Sequence, residues 1–215
     1  MKLHLGCGQR YFEGYHNIDF PLSEHSVQSV SVADQHANLL ELKYDRESIS
    51  EVRLHHVFEH FSRPCSLALL ASWNSWLKIG GDLCIEVPDF EKSARKYMSI
   101  FSSKKSKFVA LRHIFGSQEA HWAVHFEGYN KSLFNAILPL FGYKVVEYTY
   151  NSWKGTYNIL VKAKKYRNIS KKEAIESAEK HLKLYLVSET ESELVLLNKW
   201  VVDFLEQLEK TCSLK

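Results

Sequence analysis

The chain has 215 residues, 45% of them hydrophobic and 25% charged, with a formal net charge of +3 at pH 7. That length suits one domain with a full core, and so mild a charge leaves no electrostatic footprint for nucleic acid. The four cysteines (Cys7, Cys65, Cys84, Cys212) show no C-x-x-C spacing, and neither a signal-peptide apolar region nor a run of the ~20 apolar residues that span a bilayer is visible, so a cytoplasmic protein with reduced thiols and no membrane partner is expected.

Residues 3–5 form a short apolar strand that runs into Gly6-Cys7-Gly8. Residues 15–20 alternate and end on an acid, residues 27–33 are β-branched, and residues 50–57 continue the pattern, giving a second, third and fourth strand. Pro64 opens a helix that continues over 66–77 and is ended by Gly80-Gly81. Residues 82–87 make a fifth strand, halted by Pro88. Helices are predicted over 90–101, 107–115 and 131–141, the last capped by Gly142. Strands over 144–150 and 156–162 are close enough to pair antiparallel.

Ser170-x-x-Glu173 and Thr190-x-x-Glu193 read as capping boxes that open helices over 171–187 and 191–210. The second helix repeats Leu194, Leu197, Val201, Phe204 and Leu208, a seam too short for an independent coiled coil. A hairpin packed on its own domain is expected, with a homodimer through these helices as the alternative use of the seam. The fold class is α/β: an open, mostly parallel, Rossmann-like sheet closed by an antiparallel pair, with a helical hairpin appended. Residues 1–164 form the domain and 165–215 the extension. In such sheets ligands bind beyond the carboxyl ends of the strands, here at residues 6–8, Asp19 and 55–60.

The glycines at 6 and 8 permit a sharp turn and a close backbone approach by a ligand. Asp19, ending the next strand, can accept both hydroxyls of a ribose. Tyr11 stands where a third glycine of G-x-G-x-x-G would be, and the link to the second strand is too short for a parallel crossover built on a helix. A nucleoside without phosphates therefore fits better than a dinucleotide.

The ordered set L-H-L-G-C-G (3–8), N-I-D (17–19), H-V-F-E-H (56–60), L-K-I-G-G (77–81) and V-P-D (87–89) resembles the class I S-adenosylmethionine-dependent methyltransferases, in particular a small bacterial branch, over about residues 1–164. The resemblance implies that S-adenosylmethionine, or its product S-adenosylhomocysteine, is held by Gly6, Cys7, Gly8, Asp19 and Phe20 and by the backbone of His55 and His56. Asn38 takes the position of the acid that meets the adenine amino group, with Asp34 as fallback. It also implies G-x-Q and H-x-x-G-Y, here Gly116-Ser117-Gln118 and His125 to Tyr129, as part of an acceptor pocket. His56, Asp89, His121, His125 and Tyr129 would surround a small polar acceptor, with His125, then His56 and His121, as candidate bases for a hydroxyl. A sugar of a surface polysaccharide is one such acceptor.

His56-x-x-Glu59-His60 also matches H-x-x-E-H, a zinc-peptidase pattern. That use needs both histidines on one helix face, whereas here a strand precedes and Pro64 follows closely. The expectation is therefore no metal, with Glu59 and His60 fixing the loop. Two other classes stay open: a zinc peptidase, and a cofactor-binding protein of the same fold without catalysis.

Overall fold

The computed structural model describes residues 1–24 and 30–212. Seven strands form one sheet in the order β3-β2-β1-β4-β5-β7-β6. They are β1 (Lys2–Leu5), β2 (His16–Asp19), β3 (Gln35–His36), β4 (Ile49–His55), β5 (Leu77–Pro88), β6 (Tyr143–Trp153) and β7 (Thr156–Lys165). The first five pair in parallel, and β7 runs antiparallel to both β5 and β6. The helices are α1 (Arg63–Trp76), α2 (Phe90–Met98), α3 (Lys104–Phe115), α4 (Lys131–Ile137), α5 (Lys171–Leu182) and α6 (Glu191–Thr211). The expected α/β class, with its antiparallel closing pair and terminal hairpin, is the observed one. No helix among the described residues is long and apolar enough to cross a membrane.

On the central strands Leu3, Leu5, Val52, Leu54, Leu83, Ile85 and Val87 are all at 1% exposure or less, and the strand register places them together on one face of the sheet, while His4, Arg53 and Glu86 alternate onto the other. The first half of the sheet is lean in helix: β1 joins β2 through turns alone, and β2, β3 and β4 are linked by short 3₁₀ turns among the described residues. The expected compact first crossover is therefore present.

Helix α1 carries apolar or small residues on every side, and Leu67, Ala68, Leu69, Leu70 and Ala71 are all buried. Such a helix must be covered all round. The α5–α6 hairpin packs on it. Ser72 Oγ lies 2.7 Å from Thr211 Oγ1, and Trp76 Nε1 donates to the Thr211 carbonyl at 3.0 Å. The seam of α6 is spent here: Leu197, Phe204 and Leu208 are buried in the common core, while Leu194 is exposed.

Four expectations are corrected. Residues 30–33 are not strand, the third strand lies at Gln35–His36, and the remainder of the 27–33 segment lies outside the described residues. Leu77 does not end the helix but opens β5, and Gly80-Gly81 sit in an irregularity where the pairing jumps from Ile49↔Leu77 to Glu51↔Asp82. The Ser170/Glu173 capping box is formed, but Thr190 makes no side-chain cap bond: its hydroxyl lies 3.0 and 3.2 Å from those of Ser188 and Ser192, and Glu193 Oε2 accepts from Val187 N at 2.9 Å. The helix predicted over 90–101 ends at Met98.

Lys165 is wholly buried, and its Nζ donates to the Leu77 carbonyl at 2.6 Å with Glu47 Oε1 at 3.8 Å. Burial pushes its ammonium down to about 8, against the opposing pull of Glu47. Above that pH the folded chain has lost a proton that the unfolded chain keeps until about 10.5, so stability from this group rises with pH across that window. Urea unfolding at pH 7.5 and 9.5 is expected to show a gain for the parent chain that Lys165→Met lacks.

Candidate active site

A cleft of about 740 Å³ opens at the carboxyl ends of β1, β2 and β4. Its walls include Gly6, Cys7, Gly8, Asp19, Phe20, Asn38, His55 and His56, so every residue expected to hold the cofactor lines one space. Gly6 and Gly8 both have positive φ, +68° and +55°. A Cβ on Gly6 would stand 2.2 Å from Val57 Cγ2, whereas a Cβ on Gly8 would meet nothing within 4 Å. The first glycine is thus required by packing of the β1 and β4 ends, and the second leaves the cleft open.

The Asp19 carboxylate ties the turn together. Its Oδ2 accepts from Gly8 N at 2.8 Å and its Oδ1 from Phe20 N at 2.9 Å. A carboxylate offers about four lone-pair sites, so these two bonds do not by themselves use them all. Cys7 is buried, and burial pushes its thiol up to about 11, so it contributes backbone rather than a thiolate. No helix starts after Gly8 in the described turn to Tyr15, and a helix N-terminus that would cradle a pyrophosphate is therefore lacking there.

Asn38 lies at the cleft with its Oδ1 accepting from Leu40 N at 3.0 Å. The fallback, Asp34, is not on the cleft wall. Its Oδ2 accepts from Asn17 N at 2.8 Å and Asn17 Nδ2 at 3.0 Å, anchoring the start of β2.

The β4 end presents two histidines of opposite character. His4 Nδ1 donates to Asn17 Oδ1 at 3.1 Å, which leaves His4 Nε2 to accept from His55 Nδ1 at 3.3 Å. Burial, then the neighbouring His4, holds His55 down at about 3, so it faces the cleft neutral. His56 has φ +55°, a strained conformation for a residue with a Cβ. Its N–H donates to the Glu86 carbonyl at 2.9 Å. Its Nδ1 lies 3.4 Å from Glu59 Oε1 and its Nε2 3.6 Å from Glu86 Oε1. Burial opposes the charged ring, but the two carboxylates prevail and raise its pKa.

The acceptor-side expectations divide. His121 lines the cleft, as does His60, whose Nδ1 donates to the Val124 carbonyl at 3.2 Å. His125 does not line it: the ring stands behind the wall, with Nδ1 donating to the His113 carbonyl at 3.1 Å and Nε2 4.0 Å from Glu59 Oε1. Asp89 is buried and caps α2 through Lys92 N at 3.0 Å. Tyr129 is a core residue, its hydroxyl on Ser66 Oγ at 3.1 Å and its ring stacked on Phe134. These three are corrections: each makes a local hydrogen bond and none lines the cleft. Arg10, Glu119 and Trp122 also line the cleft and were not singled out in the sequence. Arg10 alone carried a signal, two positions past the glycine turn, and its guanidinium lies 4.0 Å from Glu86.

The helix that H-x-x-E-H requires is not there, since Glu59 and His60 sit in a 3₁₀ turn (Phe58–His60) and His56 precedes it. A smaller cavity of about 320 Å³ adjoins the cleft, sharing Leu40, His60, Phe61 and Phe126 with it and adding Asp203, Glu206, Gln207 and Lys210 of α6.

The chain is similar in fold to solved S-adenosylmethionine-dependent methyltransferases. One is a Methanosarcina mazei S-adenosylmethionine-dependent methyltransferase, 10% identical, covering 76% of this chain and 91% of its own at a TM-score of 0.50. Another is the 1,6-didemethyltoxoflavin-N1-methyltransferase of Burkholderia thailandensis, solved with its substrate and S-adenosylhomocysteine, 14% identical over 77% of this chain and 70% of its own, TM-score 0.50. A third is the Haloferax volcanii protein in complex with the methyltransferase activator Trm112, 13% identical over 78% and 82%, TM-score 0.53. No family model and no curated protein matches the sequence.

Proposed function

We propose that the protein is an S-adenosylmethionine-dependent methyltransferase acting on a small polar acceptor, a hydroxyl compound such as a sugar. The observation that carries this reading is the convergence of Gly6, Gly8, Asp19, Phe20, Asn38 and the β4 end on one cleft large enough for a nucleoside joined to an amino acid. Asp19 would take the ribose hydroxyls, Phe20 would lie against the adenine, and Asn38 would meet its amino group. Neutral His55 would add no cation of its own beside the methionine part, which suits a positively charged sulfonium. Methyl transfer then needs the acceptor oxygen held in line with the sulfur, a positioning effect that supplies much of the rate by itself. His56 and His121, two of the histidines on the cleft wall, would be the candidates to take an acceptor proton.

The hairpin of 165–215 would act as an extension of the 1–164 domain. Gln207 Nε2 donates to the Leu40 carbonyl at 2.9 Å, and α6 forms one side of the smaller cavity next to the cleft. Calorimetric titration with S-adenosylhomocysteine, followed by transfer of labelled methyl to a panel of sugars, tests the reading. One site per chain and label in at least one hydroxyl acceptor are expected. No binding removes the cofactor, and binding without transfer to any acceptor leaves the non-catalytic alternative.

A further inference from the structure

Glu59 is 1% exposed, and neither of its carboxylate oxygens accepts a hydrogen bond from a described residue. A buried carboxylate in that condition is costly unless a cation compensates it. Around it stand His60 and His125, and the three offer ligand atoms that all lie within 4.8 Å of one another. The histidines are prepared in a particular way. His60 Nδ1 donates to the Val124 carbonyl at 3.2 Å and His125 Nδ1 to the His113 carbonyl at 3.1 Å. Both rings are thereby held in the tautomer whose Nε2 carries a lone pair. Backbone carbonyls that fix the far nitrogen are what metal-bound histidines ordinarily use.

We propose that Glu59, His60 and His125 bind one divalent transition-metal ion of the zinc class. Two imidazole nitrogens and a carboxylate are a normal donor set for zinc, with a fourth position left open. Tetrahedral bonds of ~2.0–2.1 Å place ligand atoms about 3.3 Å apart. The 4.0 Å between His125 Nε2 and Glu59 Oε1 would have to shorten by about 0.7 Å to reach that value. The ion would sit in the wall that His60 shares with the cleft, so its open position would suit an oxygen of the acceptor. This triad differs from the helical H-x-x-E-H arrangement, since its third ligand comes from the loop before α4 rather than from His56. The competing arrangement is a protonated His56, 3.4 Å from Glu59 Oε1, that neutralises the carboxylate without a metal.

The test uses the full chain without an affinity tag, stripped by a chelator and titrated with zinc and with cobalt(II). One equivalent should bind, and X-ray absorption of the zinc form should count two imidazole ligands. Glu59→Gln, which keeps the shape, and His125→Ala should each weaken binding by more than ~100-fold, beyond the 10–100-fold loss caused by removing an outer partner of a ligand. His36→Ala, an exposed histidine, should change nothing. Failure to bind a stoichiometric ion, a single or absent imidazole in the absorption spectrum, or equal affinity in Glu59→Gln would overturn the proposal in favour of the His56 pair. S-adenosylhomocysteine binding by the same samples is a separate readout, so loss of the metal site and loss of the cofactor reading are distinguishable.

Discussion

Replacing Asp19 by alanine is expected to weaken S-adenosylhomocysteine binding at least tenfold. The variant would lose two charge-assisted hydrogen bonds to the ribose, each about 1.5–3 kcal/mol at most, against 1.4 kcal/mol per factor of ten. It would also strip the partners from Gly8 N and Phe20 N, which Asp19 holds at 2.8 and 2.9 Å, so the glycine turn would loosen. Asp19→Asn separates the two effects. It keeps an acceptor for one backbone N–H but removes the charge, so its affinity should fall between the parent and the alanine variant. Calorimetry reads all three, and an unchanged affinity in Asp19→Ala would remove Asp19 from the cofactor site.

Gly6→Ala is expected to destabilise the fold strongly. The position has φ +68°, which costs an L-residue roughly 1–2 kcal/mol, and the new Cβ would meet Val57 Cγ2 at 2.2 Å. Overpacking of that kind costs typically ~1–3 kcal/mol more. Together these should lower the melting temperature by roughly 5–15 °C, at ~2–4 °C per kcal/mol for a chain of this size. Val57→Ala removes the clashing methyl but not the strain, so the double variant should recover part of the loss. No recovery would mean that the backbone conformation, rather than the contact between the β1 and β4 ends, sets the requirement. Gly8→Ala, with open space around its Cβ, should fold with only the conformational penalty and show its effect in ligand affinity.

The parts of this fold legible in the sequence are those set by neighbours in the chain. Short apolar strands, the glycine turn, the acid ending β2, Pro88, the left-handed Gly142 and the Ser170 cap each depend on residues within a few positions. Their order was enough to imply the sheet and the side of it that binds a ligand. The boundary at Leu77 was not legible, because apolar residues of a buried helix and of a buried strand look alike and only the pairing with Ile49 decides between them. The destination of each polar side chain was also beyond local reading. Asp89, Tyr129 and His125 follow the same motifs as residues that do face the cleft, yet α2, the Ser66 hydroxyl and the His113 carbonyl claim them. Conversely, Arg10, Glu119 and Trp122 reach the wall through loops with no periodicity to announce them. The sequence by itself determined the architecture and the Gly6–Asp19 half of the cleft, since backbone conformation follows from local sterics. Tertiary structure decided the half opposite. It brought His125 against Glu59 across an intervening half-domain, because a buried carboxylate must be met by whatever the packing of distant segments delivers.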